Sequence, residues 1–407
     1  MVFGLVFLLR FLFLKLPDYP VDQEVKIVGR VTEEPYLTTS NQVIRTEEIT
    51  IFTNQFPQVF YGDRIEVLGK LKRRVIENAP DKFTLYSDEI LVLDRGESSG
   101  PWVKMRRGLI GFRYYLEKRI AYILPSPQSS LFSGILLGGR PNFSQKFQKN
   151  LRETGTIHLV AASGYNISVV AGALISLFLF FVSRKKALAF SFLGITAYAL
   201  MAGAGPAVLR AAIMGGLTFT AQFLGKEKEA VRALILTASM MLFVDPLIVF
   251  DIGFQLSFGA TGGILFVLPK FEKWAFFKTN FFGKEVGLTL AAQIGVLPII
   301  LYHFGSISGI FLLVNGLVGP LIPFIMKLGG VAVGITLLSV FLGRFAFFPV
   351  WVLLTTMVKL INFFGVVSWG NLTIETFPLW GVVAYYLVLA GVISLIRKKE
   401  ARYRIFK

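Results

Sequence analysis

The sequence has 407 residues, 54% of them hydrophobic, with 40 Phe and a mean hydropathy of +0.64. Soluble domains hold about 45–50% apolar residues, and repeated apolar runs of about 17–25 residues mark bilayer proteins, so an ordinary soluble class is excluded. Cysteine is absent and only two His occur, which excludes disulfide frameworks, thiolate chemistry and Cys- or His-rich metal centres, and no cofactor is implied.

Charge is distributed unevenly along the chain. The whole carries +17, yet residues 21–97 hold 14 acids against 10 bases, leaving 32 bases against 11 acids elsewhere. Part of that excess is positive-inside bias. The remainder favours a polyanionic partner, either lipid headgroups or nucleic acid.

Met1 to Leu16 is apolar but short, and Arg10 and Lys15 interrupt it. No small-residue cleavage site follows, so residues 1–16 are expected to be an uncleaved membrane anchor, with an interfacial helix as the alternative. Over 20–97 the texture changes to alternation, as in VKIVGRV and RIEVLGKL. Period-two apolar residues separated by turn residues predict about five half-buried antiparallel strands. They fit a small β-barrel of OB-like type. Its basic cluster, Lys70, Lys72, Arg73 and Arg74, is a candidate nucleic-acid contact; a barrel that only spaces or gates is the alternative.

Residues 102–152 carry ten Lys or Arg against one Glu, interleaved with aromatics. Basic amphipathic helices at a membrane surface are expected. Arg106, Arg107, Arg113 and Arg119 could form a collar that pairs with phosphates while aromatics stack on bases. Contact with anionic lipid explains the same pattern.

Residues 153–396 read as a membrane domain, and 397–407 as a basic cytoplasmic tail. Apolar segments at 157–182, 187–203, 206–224, 231–244, 247–268, 286–302, 306–326, 328–343, 345–367 and 378–396 predict, with the N-terminal anchor, about 9–11 membrane segments, some broken or re-entrant. Polar residues recur inside them: His158, Ser163 and Asn166 in the first, then Arg210, Asp251, Gln255, Gln293, His303 and Asn315. Polar groups at membrane depth usually face a protein interior or a water path. Arg210 and Asp251 could neutralise each other, or the whole set could line a hydrated route.

Four separated stretches carry a resemblance: GGRPNFSQKFQKNLRETGTIHLVAASGYNIS, VLRAAIM, DPLIVFDIGFQLSFGATGGILF and AAQIGVLPIILYHFGSISGIFLLVNGLVGPLIP. In this order the chain resembles the ComEC competence proteins, over roughly residues 20–396. The resemblance implies an inner-membrane, multi-pass channel, with the strand-rich segment as an extracytoplasmic OB domain, that passes one DNA strand into the cytoplasm during natural transformation. It also implies a DNA receptor, a separate nuclease and a cytosolic ATP-driven motor as partners. His158, Ser163, Asn166, Arg210, Asp251, Gln255, Gln293, His303 and Asn315 fall in the family's polar motifs and become candidate path or gate residues, not catalysts. The family's centre reads Ser-Gly-Leu-His, whereas here Tyr165 and Asn166 follow Ser163-Gly164. No HxHxDH pattern occurs in the sequence, so the likeness is to a short form without the C-terminal metallo-β-lactamase-like domain.

Two other function classes fit parts of the pattern. A secondary transporter of a small anion or lipid would show saturable flux without DNA. An intramembrane hydrolase using Ser163 and His158 would need a broken helix, since five residues on a helix separate two side chains by about 140°.

Overall fold

A computed structural model describes residues 23–38, 41–46, 49–76, 79–96, 98–139, 143–160, 164–203, 206–223, 230–272, 281–366, 372–373 and 377–405. The expected anchor at 1–16 and Ser163 lie outside the described residues. The chain folds as two units. One comprises residues 1–118 with 196–204 and 239–250; the other holds the rest.

In the first unit the alternating stretches become seven strands: β1 (Glu24–Arg30), β2 (Tyr36–Leu37), β3 (Asn41–Arg45), β4 (Ile49–Asn54), β5 (Arg64–Ile76), β6 (Ala79–Tyr86) and β7 (Ile90–Asp94). The order is β1-β5-β6-β4-β3-β2, with β7 also on β5. β5 organises the sheet. Residues 64–70 pair with β1, 64–67 with β7, and 70–76 with β6. Gly69 stands where β5 changes partner, and a Cβ there would strike the Tyr86 carbonyl. One face of every long strand is apolar, so Ile44, Ile51, Ile65, Val67, Leu71 and Leu85 make a fully buried core.

Two features differ from expectation. Seven strands replace about five, because the 41–54 and 79–94 stretches each hold two strands, β3 with β4 and β6 with β7, and the short β2 is added. Among the described residues no pairing joins β2 to β1 or β7, so the sheet is open and not a closed barrel. β2 has only two residues and pairs on one edge, to β3, which leaves little strand with which to close.

The helices are α1 (Pro101–Ile123), α2 (Gln128–Leu137), α3 (Gln145–Glu153), α4 (Ile157–Val160), α5 (Gly164–Phe181), α6 (Arg184–Met201), α7 (Pro206–Phe223), α8 (Ala230–Val244), α9 (Ile252–Phe266), α10 (Leu268–Phe271), α11 (Phe281–Phe304), α12 (Phe311–Val318), α13 (Leu321–Leu338), α14 (Val340–Val366) and α15 (Leu379–Ile405). Among the described residues, five stretches are long and apolar enough to cross a membrane: Ile252–Phe271, Val286–Phe304, Phe311–Leu338, Val340–Val366 and Leu379–Ile396. Four apolar helices are shorter: Gln128–Leu137, Asn166–Phe181, Val208–Leu217 and Ala230–Val244. The expected segments at 157–182, 206–224 and 231–244 thus become short apolar helices, 306–326 and 328–343 share one long stretch, and 187–203, within α6, falls in neither set. The predicted break between 306–326 and 328–343 falls earlier, at Gly319-Pro320, where α12 gives way to α13.

Packing in the second unit depends on small residues. Gly259 and Gly263 of α9 face Gly295 and Ala291 of α11 so closely that an added Cβ at Gly263 would overlap the Ala291 carbonyl. Close backbone approach of this kind drives helix association where hydrocarbon surrounds the protein. The stretch at 128–137, expected at a membrane surface, is instead packed inside the bundle. Leu131, Phe132 and Ile135 are fully buried, and Phe132 lies over Gly329 and meets Phe347 edge-on at 5.4 Å. It carries no charged residue, and that apolarity explains its burial. Outward-facing Phe341, Phe345, Leu387, Val388 and Leu395 leave an apolar exterior suited to lipid.

Candidate functional site

The approach to the predicted centre is a sequence of caps. Ser144 accepts from the Phe147 amide at 3.3 Å and opens α3. Gly155, at φ +65°, ends the turn that follows, in a conformation costly for other residues. It also lies against Phe311, where a Cβ would come within 2.9 Å. Ser308 donates to the Glu153 carbonyl at 2.5 Å, tying this corner to the start of α12. His158 follows, with Nδ1 2.9 Å from the Gly155 carbonyl. It is exposed and local in its bonding.

The predicted polar residues of the bundle are brought together in pairs. Asp251 caps α9 by accepting from the Phe254 amide at 2.9 Å. Four residues on, Gln255 Oε1 is 2.7 Å from His303 Nε2 at the end of α11. Two residues further, Ser257 accepts from Arg210 Nε of α7 at 2.6 Å. Positions two apart on a helix diverge by about 200°, so Gln255 and Ser257 look toward different neighbours. α9 is therefore a polar hub joining α7 and α11.

The Arg210–Asp251 neutralisation weighed from sequence is absent. Asp251 is engaged at its own helix N-terminus, while Arg210 binds a neutral hydroxyl and approaches the Met214 sulfur at 3.3 Å. Among the described residues Arg210 forms no ion pair. Its Nη2 occupies the space a side chain at Gly164 would need. A half-buried guanidinium held by a serine and backed by apolar helices can attract a phosphate or another anion, because the low dielectric around it screens little.

The other predicted residues are placed separately. Asn166 is buried on α5 and donates to the Ile135 carbonyl of α2 at 3.0 Å. Asn315 is buried on α12 and donates to the Phe311 carbonyl at 2.8 Å, while its Oδ1 has no hydrogen-bond partner. Gln293 is half-buried on α11. Sequence reading missed a further polar tie, Asn150 to Asn362 at 2.9 Å between α3 and α14. Asn362 sits alone in an apolar run, the same signal that singled out Asn315.

The expected arginine collar takes a different form in the first unit. Arg113 is 1% exposed, pairs with Glu34, lies 3.2 Å from Glu117, and donates to the Met201 carbonyl at 3.1 Å. Tyr114 donates to Glu34 at 2.5 Å. Burial pushes the Tyr114 hydroxyl and the Glu117 carboxyl upward in pKa, with Glu34 adding to both and Arg113 opposing. Arg107 pairs with the buried Asp63 at 2.9 Å, and Arg106 stacks on Tyr61 at 4.3 Å. These three arginines hold α1 to the sheet, so an open phosphate collar is not what they build. The reason is the acidic β segment: its Glu34 and Asp63 are the counter-charges. Arg119 is half-buried. Lys70, Lys72 and Arg73 are exposed on β5, and the Arg74 side chain lies outside the described residues.

Among the described residues no group of three or more His, Asp or Glu converges as a metal site. A family model described as competence protein matches residues 135–399. ComE operon protein 3 of Bacillus subtilis (strain 168) is 30% identical over 218 residues, 53% of this chain and 27% of that protein. The chain thus spans well under two thirds of the length of that relative.

Proposed function

The chain belongs to the competence protein family, and from that premise we propose that it conducts one strand of incoming DNA across the inner membrane. The observation that carries this reading is Arg210. It is a cation without an acidic partner among the described residues, set in an apolar bundle inside the family-matched region. A passing polyanion needs positive charge to enter and neutral hydrogen-bonding groups that release it. Arg210 suits the first need; Gln255, Ser257, His303 and Asn315 suit the second.

In this reading the protein acts as a conduit and not as an enzyme. Lipid surrounds it, the sheet lies outside the cell membrane and the basic tail inside. A DNA receptor, a nuclease for the complementary strand and an ATP-driven motor would be separate partners. The test is the fate of labelled DNA in cells carrying Arg210→Ala or Arg210→Lys at wild-type protein level. Internal label should fall at least tenfold for Ala and less for Lys. Equal uptake by all three would remove Arg210 from the path.

A further inference from the structure

Arg107 and Arg113 of α1 are matched by acids, whereas the cations of α3 are not. Lys146, Lys149 and Arg152 stand at every third position of this nine-residue helix, and all three are exposed. Three residues along a helix advance about 4.5 Å and fall about 60° short of a full turn, so the three make one stripe about 9 Å long. Among the described residues none of them forms an ion pair. The one acid of the helix, Glu153, is its last residue and is half-buried.

The opposite face is fixed in the bundle. Phe147, Asn150 and Leu151 are at most 4% exposed. Asn150 donates to Asn362 of α14 at 2.9 Å, and a Cβ on Gly365 would strike Asn150. Past the C-terminal end of α3, Gly155 abuts Phe311, the first residue of α12. The helix therefore sits where the apolar stretch Phe311–Leu338 begins and Val340–Val366 ends. An amphipathic helix that binds lipid buries its apolar face at the acyl boundary. Here protein covers that face, and the cations point to a ligand outside the bundle. From α3 the chain runs on to Gly164, beside which the Arg210 guanidinium lies.

We infer that Lys146, Lys149 and Arg152 form a capture stripe for the phosphates of a nucleic-acid strand at the edge of the bundle, ahead of Arg210. The inference rests on the proposed DNA reading and deepens it by naming where the phosphodiester chain is first held. Clustered charge of one sign raises the local concentration of a polyanion, and salt screening at an exposed stripe lets the strand move on. Contacts to phosphates carry no sequence information, so the stripe accepts any strand.

The experiment uses the full chain in nanodiscs of zwitterionic lipid and follows the anisotropy of a labelled oligothymidylate across a salt titration. Affinity for a single strand falls with salt by a log–log slope of about −0.7 per phosphate neutralised. The triple variant Lys146→Gln, Lys149→Gln, Arg152→Gln should therefore bind more weakly, with a slope shallower by about 2. Lys146→Arg with Lys149→Arg should keep the wild-type slope. If the triple variant misfolds, each single Gln substitution should still flatten the slope by about 0.7. An unchanged slope in the Gln variants would overturn the stripe, as would no binding by wild type. An unchanged slope together with loss of thermal protection by phosphatidylglycerol would assign these cations to lipid headgroups instead. Failure of the conduit is read separately, from internalised DNA in the Arg210 variants.

Discussion

The Tyr385 hydroxyl donates to the Ile294 carbonyl at 2.9 Å, across from α15 to α11. Ile294 stands four residues before Pro298, which lies inside α11. A proline has no amide hydrogen, so the carbonyl four residues earlier loses its helical donor. Tyr385 supplies the missing one. Next to it, Tyr386 donates to the Gly295 carbonyl at 2.7 Å, but Ile299 can still supply an amide there. Tyr385→Phe should destabilise the bundle by about 1–3 kcal/mol, the cost of an unsatisfied buried acceptor. Tyr386→Phe should cost less. Thermal unfolding in detergent ranks the two; a larger drop in Tm for Tyr386→Phe would refute the argument.

Gly262 and Gly263 are neighbours in sequence with opposite surroundings. A Cβ at Gly262 meets nothing within 4 Å, whereas one at Gly263 collides with the α11 backbone at Ala291. Gly262→Ala should therefore be neutral or raise stability by up to about 1 kcal/mol, the helix-propensity gain. Gly263→Ala should force α9 and α11 apart, with a loss of about 1–3 kcal/mol from overpacking. Because Gln255–His303 spans the same two helices, uptake should fall with it. Indistinguishable melting curves for the two variants would contradict the packing described.

Arg113 tests what the arginines of α1 do. Arg113→Ala would leave the half-buried Glu34 and Glu117 without their buried cation, a loss of up to about 3–5 kcal/mol, the cost of breaking a buried pair. The expected result is reduced protein in the membrane. Unaltered protein level with reduced DNA entry would instead restore the phosphate-collar reading for this residue.

Glu117 predicts a pH dependence. Burial raises its pKa in the folded chain above the ordinary carboxylate value, so the native state holds its proton more tightly than the unfolded one. The stability this provides is present in full below the ordinary carboxylate pKa. It is lost as pH rises through the raised value. Hydrogen exchange over residues 101–118 should therefore show more protection at mildly acidic than at neutral pH, after correction for intrinsic rates. Glu117→Gln should flatten that difference. An identical pH profile in the variant would remove Glu117 as its source.

Much of this was legible in the sequence. Alternation located the sheet, apolar runs located the helices, and isolated polar residues pointed to the α7, α9 and α11 contacts. Pairing within that set was not legible. Asp251 and Arg210 are the obvious electrostatic match, yet Asp251 sits at a helix N-terminus with a free amide three residues on, and the local bond wins. The roles of Arg106, Arg107 and Arg113 were hidden for a related reason. Their partners, Tyr61, Asp63 and Glu34, lie 44 to 79 residues earlier, and no periodicity links such distant positions. Strand count failed at 41–54 and 79–94, where a turn divides one apolar run into two strands.

The most direct measurement is transformation in the native cell with this gene deleted and then restored. Labelled DNA would be followed as surface-bound, protected outside the inner membrane, and internal. The conduit account predicts that DNA is bound and protected outside but absent within, and that the restored gene returns internal label. Normal internalisation in the deletion strain would contradict it.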